Sequence, residues 1–375
     1  MGRQYSWDAT ATRRSEQKGP ADLQNARYAA SANPNDSNLQ LNYAKALIVA
    51  STSYADRYID PTTPAQTPVD PRVAARNRMV WSSLAQKIVR KLAAGSYPPA
   101  VFVLGSMYSS GAAGCEADTV KAFELYLRAG KLEPPYPEAC YRVAVSYELG
   151  IGTKPDADRS FWWYRRAANL GDVRSMYKLG MAFLTGTFHT RSFEDALLWL
   201  TRAAERADPA TPHAVHELGL IYENARNQCP EVDRDPAKAL HFYMKAAALD
   251  YAPSMVRLAH AYEFGELNCP IDPAKSIEFY KMAAKVEHPE GELGLAGWYW
   301  TGAEGILKPS PTEAFVLAEK AASKNNARAE FCVGYFYQMG IGCTLDKDRA
   351  RHYYLKAYEK HHPHAAARLR ELSGN

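Results

Sequence analysis

Residues Ser254 to Ala284 read SMVRLAHAYEFGELNCPIDPAKSIEFYKMAA, and this stretch decides the predicted fold. A Leu-Ala pair is followed by Tyr262 and then by Gly265, a residue type that commonly ends helices. Asp272-Pro273 then precedes an amphipathic run that closes on Ala283-Ala284. Because the same order of residue types returns along the chain, we expect a repeated pair of helices.

An alanine near the end of each second helix marks the period of the repeat. It stands at Ala93, Ala129, Ala167, Ala203, Ala246, Ala283, Ala321 and Ala357. Successive positions differ by 36, 38, 36, 43, 37, 38 and 36 residues. Repeats of this length are typical of stacked helical hairpins, in which each unit packs only against its neighbours.

A row of small residues precedes these alanines by two helical turns, so both rows lie on one side of the second helix, where a neighbouring helix can approach closely. The row consists of Ala122, Ser160, Ala196, Ala239, Ser276, Ala314 and Ala350.

One turn before each of these small residues stands an Asp or a Ser, and both are favoured helix N-cap residues. These predicted N-caps are Asp118, Asp156, Ser192, Asp235, Asp272, Ser310 and Asp346.

The first helix of each unit carries a Leu or Val, then Gly or Ala, and an aromatic residue three positions later. The aromatic residues are Tyr108, Tyr147, Phe183, Tyr222, Tyr262, Tyr299 and Tyr337. Gly inside a helix costs about 1 kcal/mol relative to Ala, so its recurrence beside Leu predicts a close helix crossing. A following Gly is expected to end most first helices in the left-handed conformation, at Gly111, Gly150, Gly186, Gly265, Gly302 and Gly340.

Composition narrows the class of protein. The 375 residues include 45 basic and 41 acidic side chains, a net charge of +4 that is too balanced to predict nucleic-acid binding. No apolar run approaches the ~20 residues of a membrane span, and we expect a cytoplasmic protein. The six cysteines do not share a position in the repeat, which favours reduced thiols over a disulfide framework.

The sequence predicts three regions. Residues 1–36 are polar and aperiodic and are expected to form a disordered N-terminal tail. Residues 37–98 are expected to supply capping helices over Leu39–Tyr54 and Val73–Ala94, the second with an apolar side at Val80, Leu84, Ile88 and Leu92. Residues 99–372 are predicted to form about seven helix pairs and a terminal helix from Ala365 to Leu372.

The repeated pattern resembles the Sel-1-like repeat over about residues 82–372. Tetratricopeptide units are similar but hold closer to ~34 residues. The resemblance implies an all-α fold, a right-handed α-solenoid of stacked antiparallel helix pairs.

Several segments also resemble the fungal chitin synthase regulatory (activator) proteins, including turns that helix stacking alone would not dictate. These segments are Met176–Met181, His213–Glu223, Tyr251–Ser254, Ala261–Gly265, Cys269–Pro273 and Gly297–Lys308. The resemblance implies a non-catalytic partner of the chitin synthase catalytic subunit, a membrane enzyme, which it would bind through a cytosolic segment in cell-wall and septum formation. It also implies a peripheral location at the plasma membrane or septum, with other cell-wall or septum scaffold proteins as further partners. The alternative is a generic Sel-1-like scaffold in another complex, such as membrane-protein quality control.

The motifs in the sequence that could carry catalysis are incomplete. His216-Glu217 begins like a zinc-protease helix, but the second histidine of that signature would fall at Leu220. The run His361-His362-Pro363-His364 lies in a predicted turn without a matching cysteine or carboxylate cluster. We therefore predict no enzyme, no metal site and no cofactor.

Partner binding is expected on the face lined by the first helices, which stacked hairpins leave open for extended segments. The candidate contacts are Tyr177, Lys178, His216, Glu217, Glu263, Phe264, Trp298 and Trp300. Trp298 and Trp300 flank Tyr299, and neighbours on a helix cannot all point inward, so at least one tryptophan should be exposed. An exposed tryptophan is a candidate binding hot spot, although packing under a neighbouring turn is the other interpretation.

Overall fold

A computed structural model describes residues 20–56, 69–188, 190–223 and 232–373 of the chain. These residues form α-helices, one short 3-10 helix at Ala112–Gly114 and an isolated antiparallel bridge between Ala303 and Leu307. The chain divides into two compact units, Met1–Trp199 and Leu200–Asn375. Within the ranges described, no helix is both long enough and apolar enough to cross a membrane.

The described residues of the first unit form eight complete helices and the start of a ninth. They are α1 (Pro20–Ala32), α2 (Ser37–Ser53), α3 (Pro71–Ala94), α4 (Pro98–Ser110), α5 (Thr119–Lys131), α6 (Pro137–Leu149), α7 (Ala157–Asn169), α8 (Val173–Thr185) and α9 (Phe193–Glu205). The boundary between the units falls inside α9. From α4 onward, first and second helices of the repeat alternate.

The second unit continues the same alternation and ends on a single first-type helix. Its helices are α10 (His213–Glu223), α11 (Pro236–Ala248), α12 (Ala252–Phe264), α13 (Pro273–Lys285), α14 (Pro289–Thr301), α15 (Pro311–Ala322), α16 (Ala327–Met339), α17 (Lys347–Glu359) and α18 (Ala365–Ser373). Within this unit, consecutive helices pack against each other. This architecture confirms the predicted α-solenoid class.

The predicted N-caps begin the second helices as expected. Asp272 accepts a hydrogen bond from the Lys275 N–H at 3.1 Å, and Ser310 accepts one from the Glu313 N–H at 3.4 Å. The Asp272 N–H also donates to the Tyr262 carbonyl oxygen at 2.8 Å, which closes the turn between the two helices of the hairpin. Every hairpin repeats this cap and this closing bond, at Asp118, Asp156, Ser192, Asp235, Asp272, Ser310 and Asp346.

Both predicted rows of small residues are buried, and together they form what we call the small-residue seam. All eight repeat-marking alanines and all seven small residues that precede them are at most 2% exposed. The two helices of a hairpin cross closely, as the glycines in the first helices indicated. A Cβ added to Gly219 would lie 2.6 Å from Cε1 of Tyr243, and one added to Gly334 would lie 2.8 Å from Cδ1 of Tyr354. The tyrosine ring therefore occupies the space that a larger residue would need.

The N-terminal prediction needs a correction. Helix α1 covers Pro20–Ala32, inside the stretch expected to be a disordered tail, while residues 1–19 lie outside the described part. Leu23 and Ala30 are buried, and the Gln40 side chain donates to the Ala30 carbonyl oxygen at 2.7 Å. Because α1 has so few apolar residues, its sequence shows only a weak helical periodicity. Packing against α2 stabilises the helix.

The predicted capping helices correspond to α2 and α3. Of the predicted apolar side of α3, Ile88 and Leu92 pack against the core, but the other two residues do not. Val80 and Leu84 are exposed, whereas Trp81, Ala85 and Val89 are buried. The buried stripe runs one residue further along, because Trp81 and alanines fill the contact with α2 and α4 better than the aliphatic residues beside them.

Candidate functional site

The candidate site is the side of the first helices that does not pack against the small-residue seam. On α12 the buried residues are Ser254, Met255, Leu258, Ala259, Ala261 and Tyr262. With 3.6 residues per turn, Arg257, His260, Glu263 and Phe264 lie on the other side of the helix. We call this side in α10, α12, α14, α16 and α18 the first-helix face of the second unit.

Glu223 shows how a carboxylate on this face is satisfied. The Tyr243 hydroxyl of the same hairpin donates to Glu223 Oε2 at 2.6 Å, and Arg257 Nε of the next first helix donates to Glu223 Oε1 at 2.9 Å. Burial alone would raise the pKa of Glu223, but the hydrogen bonds from Arg257 and Tyr243 hold it below the usual value. The carboxylate therefore stays charged and paired.

The first unit contains the same arrangement at equivalent positions. The Tyr164 hydroxyl donates to Glu148, and Lys178 Nζ lies 3.1 Å from Glu148 Oε1. Tyrosine, carboxylate and cation thus recur together, with the cation supplied by the next first helix. Lys178, a predicted contact residue, is engaged in this internal pair.

Glu263 departs from this arrangement. The Tyr280 hydroxyl donates to its Oε2 at 2.8 Å, but Gly294 occupies the position from which Lys178 and Arg257 reach their carboxylates. A Cβ at Gly294 would lie 2.1 Å from Cε1 of Tyr280, so no side chain fits there. Among the residues that the structure describes, Glu263 forms no ion pair.

Exposed aromatic side chains lie on the same face as Glu263. Phe264 is 59% exposed, and its ring stacks on the His260 ring at 5.8 Å between centroids. Trp300 is 41% exposed and contacts Tyr335 at 5.9 Å between ring centroids. Helix α14, which carries Trp300, packs directly beside α12. The first-helix face of the second unit thus combines an unpaired carboxylate with exposed aromatic surface.

Trp298 and Trp300 lie in different environments, as expected, but the prediction that Trp298 contacts a partner needs a correction. Trp298 Nε1 donates to Ser276 Oγ in the small-residue seam at 3.0 Å, so its ring packs toward the second helices rather than on the open face. Its helix position could have shown this, because the residues at that position in the other first helices are also buried. They are Met107, Ser146, Ala182, Ala261, Ile221 and Phe336.

The remaining predicted contacts are placed as follows. His216 Nδ1 lies 2.8 Å from Ser254 Oγ, and its ring packs edge-on against Tyr251, so it joins two hairpins. Tyr177 and Glu217 are partly buried on α8 and α10.

Arg257 and His260 were not predicted from the sequence as residues of this face. Arg257 could have been found by following the helix position of Lys178 into the later repeats.

The histidine run is a packing feature. The His362 ring stacks on Phe331 at 4.3 Å between centroids, and burial lowers the pKa of His362.

The comparisons with known proteins agree with this architecture. The model of the Sel1 repeat matches residues 98–133, 137–172, 173–208, 212–251, 252–288, 289–326 and 327–362. Each matched segment covers one helical hairpin of the structure.

Two fungal relatives carry names that refer to chitin synthase. Chitin synthase regulatory factor 3 of Schizosaccharomyces pombe is 34% identical over 73% of this chain and 29% of its own length. Chitin synthase regulator SKT5 of Saccharomyces cerevisiae is 34% identical over 77% of this chain and 42% of its own length. The chain therefore spans less than half the length of these relatives.

A solved structure shares the fold. It is a protective antigen of uropathogenic Escherichia coli strains with an SLR fold, 24% identical to this chain at a TM-score of 0.66. The match covers 92% of this chain and 66% of that one. With seven matched repeats over most of its length, the chain belongs to the Sel1 repeat family.

Proposed function

We propose that this chain is a non-catalytic adaptor that binds a cytosolic segment of a chitin synthase and regulates or localises the enzyme. The role would be exercised in the cytoplasm, peripherally at the plasma membrane or septum, during cell-wall and septum formation. Relatives named chitin synthase regulators support the partner class. The observation that carries the binding site is that Glu263, which forms no ion pair among the described residues, shares the first-helix face with exposed Phe264 and Trp300.

The proposed binding mode follows from the chemistry of that surface. Lys178 and Arg257 show that each equivalent carboxylate is matched to a cation. At Glu263 the partner would supply this cation, because Gly294 cannot. An apolar side chain of the same segment would rest against Phe264 and Trp300, where partly exposed aromatic rings provide large contact area at low entropic cost.

The test is a pull-down of the full chain with the cytosolic domains of a chitin synthase. Reversing the charge with Glu263→Lys should weaken capture by about tenfold or more, since an attraction becomes a repulsion. Glu278→Lys is the matched control, because Glu278 is exposed on the second helix α13 and has the same charge. It should leave capture unchanged.

A reciprocal change would strengthen the assignment. Replacing a lysine or arginine in the bound synthase segment with glutamate should restore binding to the Glu263→Lys variant. Capture of no synthase domain by the wild-type chain would contradict the proposed partner and favour a scaffold role in another complex. Equal loss with Glu263→Lys and Glu278→Lys would contradict the proposed surface.

A further inference from the structure

A cavity of about 550 Å³ opens on the first unit. It lies at the C-terminal half of α7 and is lined by Pro135, Trp162, Arg165, Arg166, Asn169 and Leu170. Trp162 is 50% exposed there, although tryptophan is a costly residue to leave in water. We call this cavity the Trp162 pocket.

Arg166 in this pocket differs from the residues that occupy its position in other hairpins. Arg128 Nη2 donates to the Ala93 carbonyl oxygen at 3.2 Å, and Lys245 Nζ donates to the Ala204 carbonyl oxygen at 2.8 Å. Each cation thereby ties its second helix to the preceding one. Arg166 stands at the same position, directly before the repeat-marking alanine, but its Nε is buried without a hydrogen-bond acceptor.

Local packing explains why Arg166 does not make the usual bond. Cys140 Sγ donates to the Gly130 carbonyl oxygen at 3.8 Å, and the Tyr136 N–H donates to the Ala129 carbonyl oxygen at 3.3 Å. Trp163 packs tightly on Gly130, where an added Cβ would lie 3.0 Å from Cζ3 of the indole. Trp163 and Cys140 thus pack around Gly130, and the Arg166 guanidinium lines the pocket instead.

The charges in the pocket are not balanced by the protein. The Arg166 guanidinium lies 5.5 Å from the centroid of the Trp162 ring, and Arg165 is exposed beside it. Within the ranges that the structure describes, neither arginine forms an ion pair. The planar guanidinium groups of Arg165 and Arg166 match the two oxygens of a carboxylate, and the amide of Asn169 offers a further donor. Trp162, Leu170 and Pro135 supply an apolar wall.

We propose that the Trp162 pocket binds an acidic peptide segment of a partner protein. One carboxylate of the segment lies on Arg166 and Arg165, and a neighbouring apolar side chain packs on Trp162. The volume suits a few peptide side chains, because ligand pockets commonly measure about 300–1,000 Å³. The assignment is independent of the first-helix face and of the proposed chitin synthase partner.

The experiment measures fluorescence anisotropy of a fluorescein-labelled peptide, Gly-Asp-Glu-Leu-Asp-Glu-Gly, titrated with the full chain. Wild type should bind it, and Arg166→Gln and Trp162→Ala should each raise Kd by about tenfold or more. Arg166→Lys keeps the charge but loses the fork, and should give an intermediate Kd. Arg90→Gln, at an exposed arginine of α3, is the charge-matched control and should bind like wild type. Circular dichroism checks that each variant is folded.

Three results would overturn the assignment. The first is equal affinity for the peptide in which Asn and Gln replace Asp and Glu. The second is an unchanged Kd for folded Arg166→Gln. The third is binding only when phosphoserine replaces the acidic residues or only to vesicles of phosphatidylserine, which would point to a phosphate ligand. Glu263→Lys should leave this Kd unchanged, so failure here is distinguishable from failure of the proposed function.

Discussion

The small-residue seam and the first-helix face of the second unit follow opposite rules. In the seam, every hairpin repeats the same solution, with alanines and serines that are at most 2% exposed. On the face, neighbouring hairpins differ, as the paired Glu223 and the unpaired Glu263 show. Stacking permits few side chains in the seam and constrains the face weakly. Departures from the repeat on the face are therefore the places to look for recognition.

The buried side of the first helices contains an informative exception to the repeat. Glu292 is fully buried, and its carboxylate oxygens lie 2.7 and 2.8 Å from Lys324 Nζ. The equivalent positions of the preceding hairpin carry Met255 and Val286. The next hairpin repeats the buried pair with Glu330 and Lys360. Buried ion pairs thus replace an apolar contact at two consecutive levels of the second unit.

The largest expected effect comes from breaking the pair of Glu292 and Lys324. Lys324→Met should lower the free energy of unfolding by about 3 kcal/mol, since a buried carboxylate loses its main partner. Lys320 at 2.9 Å from Glu292 Oε1 limits the loss. The double variant Glu292→Met with Lys324→Val copies the preceding hairpin and should regain most of the stability, as measured by urea unfolding. A double variant as unstable as the single one would contradict the idea that the two solutions are equivalent.

Enlarging a seam residue is expected to cost slightly less. Ala314→Leu should destabilise the chain by roughly 1–3 kcal/mol, because the buried alanine has no space beside it for three more carbons. Val316→Leu on the same helix is the control, since Val316 is exposed and its replacement should change stability by less than about 0.5 kcal/mol. Equal midpoints for both variants in thermal unfolding would mean that the seam tolerates larger residues.

The pH dependence of stability tests the burial of His213, the first residue of α10. Burial lowers the pKa of His213 to about 4, so the folded form stays neutral while the unfolded histidine protonates below its usual value of 6.5. Stability should therefore fall as the pH drops from about 6.5 towards 4. This residue alone contributes a loss of about 2 kcal/mol between pH 7 and pH 5. His213→Phe should reduce the slope, and an unchanged slope in urea titrations would contradict the assignment.

The smallest expected effect on stability lies on the first-helix face. Trp300→Ala should cost less than about 1 kcal/mol, because the indole is 41% exposed and contacts only part of the core. The same variant should weaken partner capture strongly. A stability loss as large as that of Ala314→Leu would show that Trp300 is a packing residue instead.

Local rules made much of the fold predictable. The N-caps at Asp272 and Ser310 and the buried Ala283 follow from hydrogen bonding and steric limits that act within one or two turns. Features set by residues far apart in sequence were not predictable. Glu292 pairs with a lysine 32 residues away, and the missing cation at Glu263 depends on Gly294 of the next hairpin.

The candidate site was predicted less completely than the fold. The exposed positions of Phe264 and Trp300 and the location of Glu263 agree with an open first-helix face, and their role in binding stays a prediction. Trp298 was placed on that face wrongly, because the prediction did not use its helix position, which is buried in the other first helices. The Trp162 pocket depends on the packing of Trp163 against Gly130, which no motif indicates.

The most direct test of the account compares the two kinds of surface in one binding measurement. Isothermal titration of the full chain with the cytosolic domain of a chitin synthase would use two double variants. One is Phe264→Ser with Trp300→Ser on the first-helix face, and the other is Val316→Ser with Leu355→Ser at exposed positions of second helices. The account predicts that the first raises Kd by about tenfold or more while the second leaves it unchanged. An unchanged Kd for the first variant, or equal weakening by both, would contradict it.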